Sequence, residues 1–273
     1  MGSVDLNLPI TRYGGKIRLA RRIAAMLPQH RVYGEPFFGS GAVLFAKAPS
    51  EVEVANDLDR ELTNFWRVLQ NPETLDALHR RLTFTPYSEV EFNDAVTRSP
   101  DADPVTRAAA FMVACMQSFS ADMRSYSRSP RHPNNINRWV SKVDRLPEVY
   151  TRLRHVQVWS EDAVAMIRRL DAPDAVFYCD PPYLHETRVT LKYKHEMTDI
   201  QHAALLNTLA TIKGKFLLSG YPSRLYDDTA ARFGWSRMTT VRTVNVTHVR
   251  RECTDPARLE VFWANYPLPA EPP

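Results

Sequence analysis

Cysteine is scarce and scattered. Cys115, Cys179 and Cys253 lie far apart, with no Cys-x-x-Cys pair. That spacing fits a reducing cytosol better than a disulfide framework, and each thiol reads first as a small buried hydrophobe. No apolar run approaches the roughly 20 residues that a membrane span needs. Met1 to Thr11 lacks a basic head followed by an apolar stretch, so a secretory signal is not expected. His195, His202 and His248 have no ligand spacing, so no metal is expected. Gly-Lys-Ser/Thr is missing, which argues against a phosphate loop. Gly-x-Ser-x-Gly is missing too, so Ser219-Gly220 is no nucleophile elbow. Net charge is only +4, from 35 basic and 31 acidic residues, and by itself says little about partners.

What is present is an α/β pattern in a chain of 273 residues, 44% of them hydrophobic, long enough for one large domain with an insertion. Residues 15–27 have helical spacing, ended by Pro28. A strand from Val32 to Phe38 leads through Gly39-Ser40-Gly41 into a short helix, Ala42 to Lys47. A second strand, Val52 to Asp57, precedes a helix from Glu61 to Gln70. Regular alternation then stops, and from about Asn71 to Val149 there are helical patterns and turn residues but no convincing strand. Strands resume at His155 to Trp159, Ala175 to Cys179 and Lys215 to Ser219. Helices are expected at Asp162 to Leu170, Thr198 to Ile212 and Ser223 to Phe233. Trp235 to Val249 and Leu259 to Tyr266 are β-rich and could pair antiparallel. The tail, 267–273, is proline-rich.

The most informative segment is Asp180-Pro181-Pro182-Tyr183, directly after the apolar run Ala175 to Cys179. It falls where a buried parallel strand would end, the edge at which open α/β sheets bind ligands. A carboxylate accepts hydrogen bonds from an amino group. Two prolines stiffen the loop, and the tyrosine offers a flat face to a planar ring. Together they suggest a site for a planar exocyclic amine. Glu35, Asp57 and Asp162 follow three other strands in the same way. Glu35-Pro36-Phe37-Phe38-Gly39-Ser40-Gly41 lets the backbone approach a ligand closely, although Leu44 stands where a dinucleotide fingerprint has its third glycine. Asp57 lies 22 residues beyond Glu35 and reads either as a partner for ribose hydroxyls or as a helix cap. Asp59 is at least as good a cap. Lys16, at a helix start, opposes the helix dipole and makes more sense facing an anion than as a solvated lysine. Residues 121–145 interleave Arg124, Arg128, Arg131, Arg138, Lys142 and Arg145 with Tyr126, Trp139 and several amides and hydroxyls, a composition suited to phosphate and base-edge contacts.

With these motifs in order, the chain resembles the Dam-like, alpha-class family of DNA adenine-N6 methyltransferases. Tyr13-Gly14-Gly15-Lys16, Glu35 to Val43, Asn56-Asp57-Leu58-Asp59 and Asp180 to Tyr183 each match a family motif. The resemblance implies a Rossmann-like, mostly parallel methyltransferase sheet with a C-terminal antiparallel hairpin. The catalytic core would be 1–70 and 150–266, and 71–149 an inserted helical target-recognition subdomain. It implies S-adenosylmethionine as donor, leaving S-adenosylhomocysteine. Tyr13, Lys16, Glu35, Pro36, Phe37, Gly39, Ser40, Gly41, Asp57 and Asp162 would form the cofactor site, with Lys16 on the methionine carboxylate, Asp57 on the ribose and Asp162 on the adenine amino group. Asp180, Pro181, Pro182 and Tyr183 would be catalytic. Arg124, Arg128, Arg131 and Arg138 are the candidate contacts to double-stranded DNA. A monomeric, cytoplasmic enzyme of bacterial or phage origin is expected, with a cognate restriction endonuclease as a conceivable partner. Rival readings are transfer to cytosine N4 or to RNA, a nicotinamide-dependent dehydrogenase, and a non-catalytic DNA-binding protein.

Overall fold

A computed structural model describes residues 8–12, 14–128, 134–184, 196–243 and 257–269. Of the residues singled out above, Tyr13, Arg131, His195, His248 and Cys253 lie outside the described residues, as do 270–273 of the tail. Within them, seven strands are β1 (Val32–Glu35), β2 (Val52–Asn56), β3 (Val156–Trp159), β4 (Ala175–Cys179), β5 (Lys215–Gly220), β6 (Ser236–Thr243) and β7 (Ala257–Ala264). They form one mostly parallel sheet in the order β3-β2-β1-β4-β5-β7-β6. This is the expected Rossmann-like arrangement, with β6 and β7 as the antiparallel hairpin. No helix among the described residues is long and apolar enough to cross a membrane.

The chain divides into two compact units. The first comprises Met1–Ala24 and Phe38–Asp162. Here β2 pairs with β3 in parallel. Helices α2 (Ala42–Ala46), α3 (Arg60–Gln70), α4 (Pro72–Thr83), α5 (Glu89–Val96), α6 (Pro104–Met116), α7 (Asn134–Asp144) and α8 (Leu146–Leu153) make up the rest, with a 3-10 turn at Phe119–Ala121. Capping explains the helix starts. Asp59 accepts from the Glu61 amide at α3, Asn71 from Glu73 and Thr74 at α4, Ser88 from Val90 at α5, and Asp103 from Val105 and Thr106 at α6. Pro72 and Pro104 occupy first-turn positions, where a missing N–H costs nothing. The core gathers Leu62, Phe65, Trp66, Leu69, Leu78, Phe92 and Phe111, all essentially inaccessible.

The second unit comprises Ala25–Phe37 and Ala163–Pro273. Strands β1, β4 and β5 run parallel, and β7 is antiparallel to β5. The buried runs Val32–Glu35 and Ala175–Cys179 are continuous rather than alternating, the pattern of strands covered on both faces. Helix α9 (Ala163–Leu170) lies against β1, where a Cβ on Gly34 would come within 2.9 Å of Met166 Cε. Helix α10 (Asp199–Leu209) opens with the Thr198–Gln201 capping box, as the sequence led us to expect at Thr198. Helix α11 (Arg224–Phe233) closes on Gly234 at φ 67°.

Helix α1 (Ala20–Met26) starts later than the periodicity of 15–27 predicts. Gly14 has φ 77°, the Gly15 amide bonds the Arg12 carbonyl, and the Leu19 amide bonds the Lys16 carbonyl. These turns consume the backbone groups that a helix would need.

Candidate active site

In the first unit, the segment after β1 is shaped by its own backbone and by α3. The Phe38 amide bonds the Asn56 carbonyl at 2.8 Å, and the Gly41 amide turns back to the Phe38 carbonyl at 2.8 Å. Gly39 (φ 52°) and Gly41 (φ 71°) both occupy the left-handed region, which a side chain would strain. A Cβ on Gly41 would also lie 2.6 Å from the Phe38 ring, whereas one on Gly39 would meet nothing within 4 Å. The Gly39 amide donates to Asp57 Oδ2 at 3.0 Å, and the Trp66 indole donates to the Gly39 carbonyl at 3.3 Å. Asp57 Oδ1 accepts from the Asp59 amide at 2.9 Å. Desolvation pushes the Asp57 carboxyl upward against the opposing pull of Arg12. Asp59, not Asp57, caps α3, and Asp57 holds the glycine loop.

Two neighbours of this loop had no role assigned to their side chains from the sequence. Trp66 lies seven residues inside α3 and reads as core, yet its N–H fixes the loop. Asn56, buried at the end of β2, pairs reciprocally with the Glu161 backbone, donating to its carbonyl and accepting from its amide at 2.9 Å each. Asn56 thereby ties the segment after β3 to β2. Asp162 follows directly and is exposed. Lys16 is 4% exposed, so it is not a solvated lysine. Its ammonium reaches the Gly14 carbonyl at 3.4 Å. Gly15 brings this segment to the loop, since a Cβ there would lie 3.4 Å from Ser40 Oγ.

The basic stretch of the same unit is more selective than its composition. Arg124, Arg128 and Arg138 are exposed. Arg128 pairs with Glu89 at 2.6 Å, and Arg138 donates to the Thr11 hydroxyl. The interleaved aromatics are spent inside. Trp139 is buried with its N–H on the Thr85 carbonyl, and Tyr126 packs on Tyr87 and Phe92. Before Arg124 the backbone is strained. Ser120, Ala121 and Met123 have φ of 54°, 55° and 56°, next to the exposed Phe119. Left-handed non-glycine residues in one loop are a signal of function that no residue pattern announces.

In the second unit, Asp180 to Tyr183 leave the buried end of β4. Asp180 is half-buried, Pro181 and Tyr183 are buried, and Pro182 is half-buried. Asp180 Oδ1 accepts from Ser219 at 3.0 Å and from Tyr183 at 3.2 Å. Ser219, at the end of β5, also meets the Tyr178 hydroxyl at 3.1 Å. The Tyr183 hydroxyl makes a short contact with Glu260 Oε1 on β7, and its ring packs edge-on to Tyr221 with centroids 4.6 Å apart. Desolvation, then Asp180 and Glu260, push the Tyr183 phenol well up. Glu35, at the end of β1, is buried and accepts from Tyr33 at 2.7 Å; Pro36 is buried and Phe37 half-buried. Ser219, Tyr221 and Glu260 escape sequence reasoning because they reach the motif from 38 to 77 residues away. No group of acidic, histidine or cysteine side chains suited to a metal occurs among the described residues.

The first unit thus carries a glycine loop held by an aspartate, and the second an acceptor-rich carboxylate–phenol cluster at a strand end. The family model described as D12 class N6 adenine-specific DNA methyltransferase matches residues 13–244. A Type II methyltransferase of Lactococcus lactis subsp. cremoris is 27% identical over 256 residues, 86% of this chain and 88% of that protein. A DNA N-6-adenine-methyltransferase of Escherichia phage P1 is 29% identical over 177 residues, 62% of this chain but only 23% of that longer protein. The chain belongs to the D12 class N6 adenine-specific DNA methyltransferase family.

Proposed function

We propose that the chain methylates adenine N6 in duplex DNA with S-adenosylmethionine as donor, acting on a base turned out of the helix. The adenine amino nitrogen is a weak nucleophile, since its lone pair is delocalised into the ring, and a stacked base is out of reach of a pocket. Eversion costs a few kcal/mol. Asp180 and the Pro181 carbonyl would each accept an amino hydrogen, drawing the nitrogen toward tetrahedral geometry and stabilising the charge that develops on it. Tyr183, its hydroxyl anchored, would present its ring to the base. Lys16 would take the donor's carboxylate and Asp57 its ribose, beside the open approach at Gly39, with Asp162 as the acceptor for its adenine amino group. When bound, the donor supplies a methyl group on a sulfonium ready for in-line displacement. Holding both reactants aligned is worth on the order of 7–11 kcal/mol.

The observation that carries this reading is Asp180 itself. It is a half-buried carboxylate fixed by two hydroxyls at a strand end. Asp180→Asn should lower kcat by about a hundredfold or more while donor binding stays measurable by calorimetry. Near wild-type methylation by that variant would refute the role. Nucleoside digestion of treated DNA should yield N6-methyladenine, and N4-methylcytosine in its place would redirect the reading. The Type II name of the Lactococcus relative supports a restriction–modification setting.

A further inference from the structure

Arg12 belongs to the segment that opens the first unit, and its side chain reaches three places there. Its Nη1 lies 3.5 Å from Oδ2 of the buried Asp59. Its Cζ stands over the Phe111 ring of α6, 5.7 Å from the centroid, within the range of a cation–π contact. It also acts on Asp57. The Arg12 carbonyl, in turn, accepts from the Gly15 amide at 3.1 Å and so starts the turn that leads to Lys16. Asp57 and Asp59 are close neighbours, since Asp57 Oδ1 takes the Asp59 amide at 2.9 Å. Two carboxylates so near each other repel, and burial makes each charge costlier. A guanidinium beside them offsets both effects. Accordingly, burial and the Asp59 charge push the Asp57 carboxyl up, while Arg12 and the amides of Asp59 and Gly39 oppose them.

We propose that Arg12 is a positioning residue for the methyl donor, the counter-ion shared by Asp57 and Asp59. Asp59 needs no charge to cap α3, because an asparagine caps as well. Asp57 does need its charge. Each of its oxygens already takes one backbone amide. A proton on the carboxyl would put a donor where an amide or a ribose hydroxyl presents its own hydrogen. The charged and titratable groups around the pair come from several elements. Arg12 precedes α1, Asp57 and Asp59 lie between β2 and α3, and Cys115 lies on α6. Burial pushes the Cys115 thiol up to about 11, so it brings no charge near neutral pH. Arg98, after α5, acts on the same thiol and is paired with Glu61 at 2.7 Å. This inference rests on the reading of Asp57 as the partner of the donor's ribose.

The test combines calorimetric titration with S-adenosylhomocysteine and urea unfolding, on wild type, Arg12→Met and Arg12→Met/Asp59→Asn. Methionine keeps an apolar stem against Phe111 and removes the charge. Arg12→Met should bind the product about tenfold more weakly than wild type at pH 7. That ratio should shrink as the pH rises, because Asp57, pushed further up without its cation, ionises again. Asp59→Asn keeps the cap of α3 and removes one of the two repelling charges. In the Arg12→Met background it should therefore strengthen product binding and raise the urea midpoint. A strut lost from the fold would be restored neither by alkaline pH nor by a neutral side chain at 59. A pH-independent ratio, or a double variant no better than Arg12→Met in both measures, overturns the proposal. Folding of the double variant where Arg12→Met alone does not fold counts as the same recovery. Urea unfolding needs no donor, so a recovered midpoint together with unchanged product affinity in Asp57→Asn would refute the ribose reading and keep Arg12 as the counter-ion.

Discussion

Gly39 and Gly41 share a left-handed backbone but differ in what surrounds them. At Gly41 an added methyl meets the Phe38 ring at 2.6 Å. Gly41→Ala therefore combines about 1–2 kcal/mol of left-handed strain with overpacking of about 1–3 kcal/mol. At Gly39 the space is open, so Gly39→Ala carries the strain alone but intrudes where the donor would approach. Urea unfolding should show the larger stability loss in Gly41→Ala, and calorimetric titration the larger loss of donor affinity relative to stability in Gly39→Ala. Equal effects on both measures would contradict the assignment of Gly39 to the cofactor wall. The same contrast separates Asp57 from Asp59, two residues apart, of which one braces a loop and the other caps a helix. Spacing alone does not tell the brace from the cap, whereas the direction of each carboxylate does.

Among the elements, the parallel strands were the most legible. Val32–Glu35 and Ala175–Cys179 are buried at every position and Lys215–Gly220 at all but Lys215, so their cores read as continuous apolar runs rather than alternating ones. Thr198 was legible as a cap because capping is local. The long-range parts of the site were not. Glu260 sits in a run, Arg-Leu-Glu-Val-Phe-Trp-Ala, that reads simply as a strand, and its bond to Tyr183 spans 77 residues. The turn around Phe119 was equally silent, since nothing in Phe-Ser-Ala announces the positive φ of Ser120 and Ala121. Strain of this kind costs of order 1–3 kcal/mol per residue and is kept where it serves a function. Phe119 is 51% exposed on that turn, five residues from Arg124. Apolar side chains that enter a base step hold it unstacked. Phe119→Ala should therefore reduce the fluorescence rise of a base analogue at the target adenine while leaving donor affinity unchanged. An undiminished signal would assign the strain to packing alone.

At the scale of the whole molecule, charge is nearly balanced, so local pairing decides what each ion contributes. Glu53 is 3% exposed and held by Lys47 at 2.6 Å and by both terminal nitrogens of Arg152. Burial raises its carboxyl, but Arg152 and Lys47 together outweigh that and hold it below the usual range. Such a group stabilises fully above the ordinary carboxylate range and loses its contribution as the pH falls toward the depressed value. Glu53→Gln should cost about 3 kcal/mol near pH 7, with the difference from wild type shrinking on acidification below about pH 4. A pH-independent difference would mean that shape rather than charge matters there. The exposed arginines proposed to meet DNA invite the opposite experiment, because exposed charges act through released counterions. Each phosphate neutralised contributes about 0.9 to the slope of log K against log salt. If Arg124 meets a phosphate, Arg124→Ala should flatten the slope by about one. Arg128 begins with a carboxylate beside it, so Arg128→Ala should flatten the slope less, and Glu89→Ala should steepen it by freeing Arg128. Filter binding across a salt series measures all three. A Glu89→Ala slope equal to that of wild type would remove Arg128 from the phosphate contacts and leave Glu89–Arg128 as an ordinary exposed ion pair, worth at most about 1 kcal/mol.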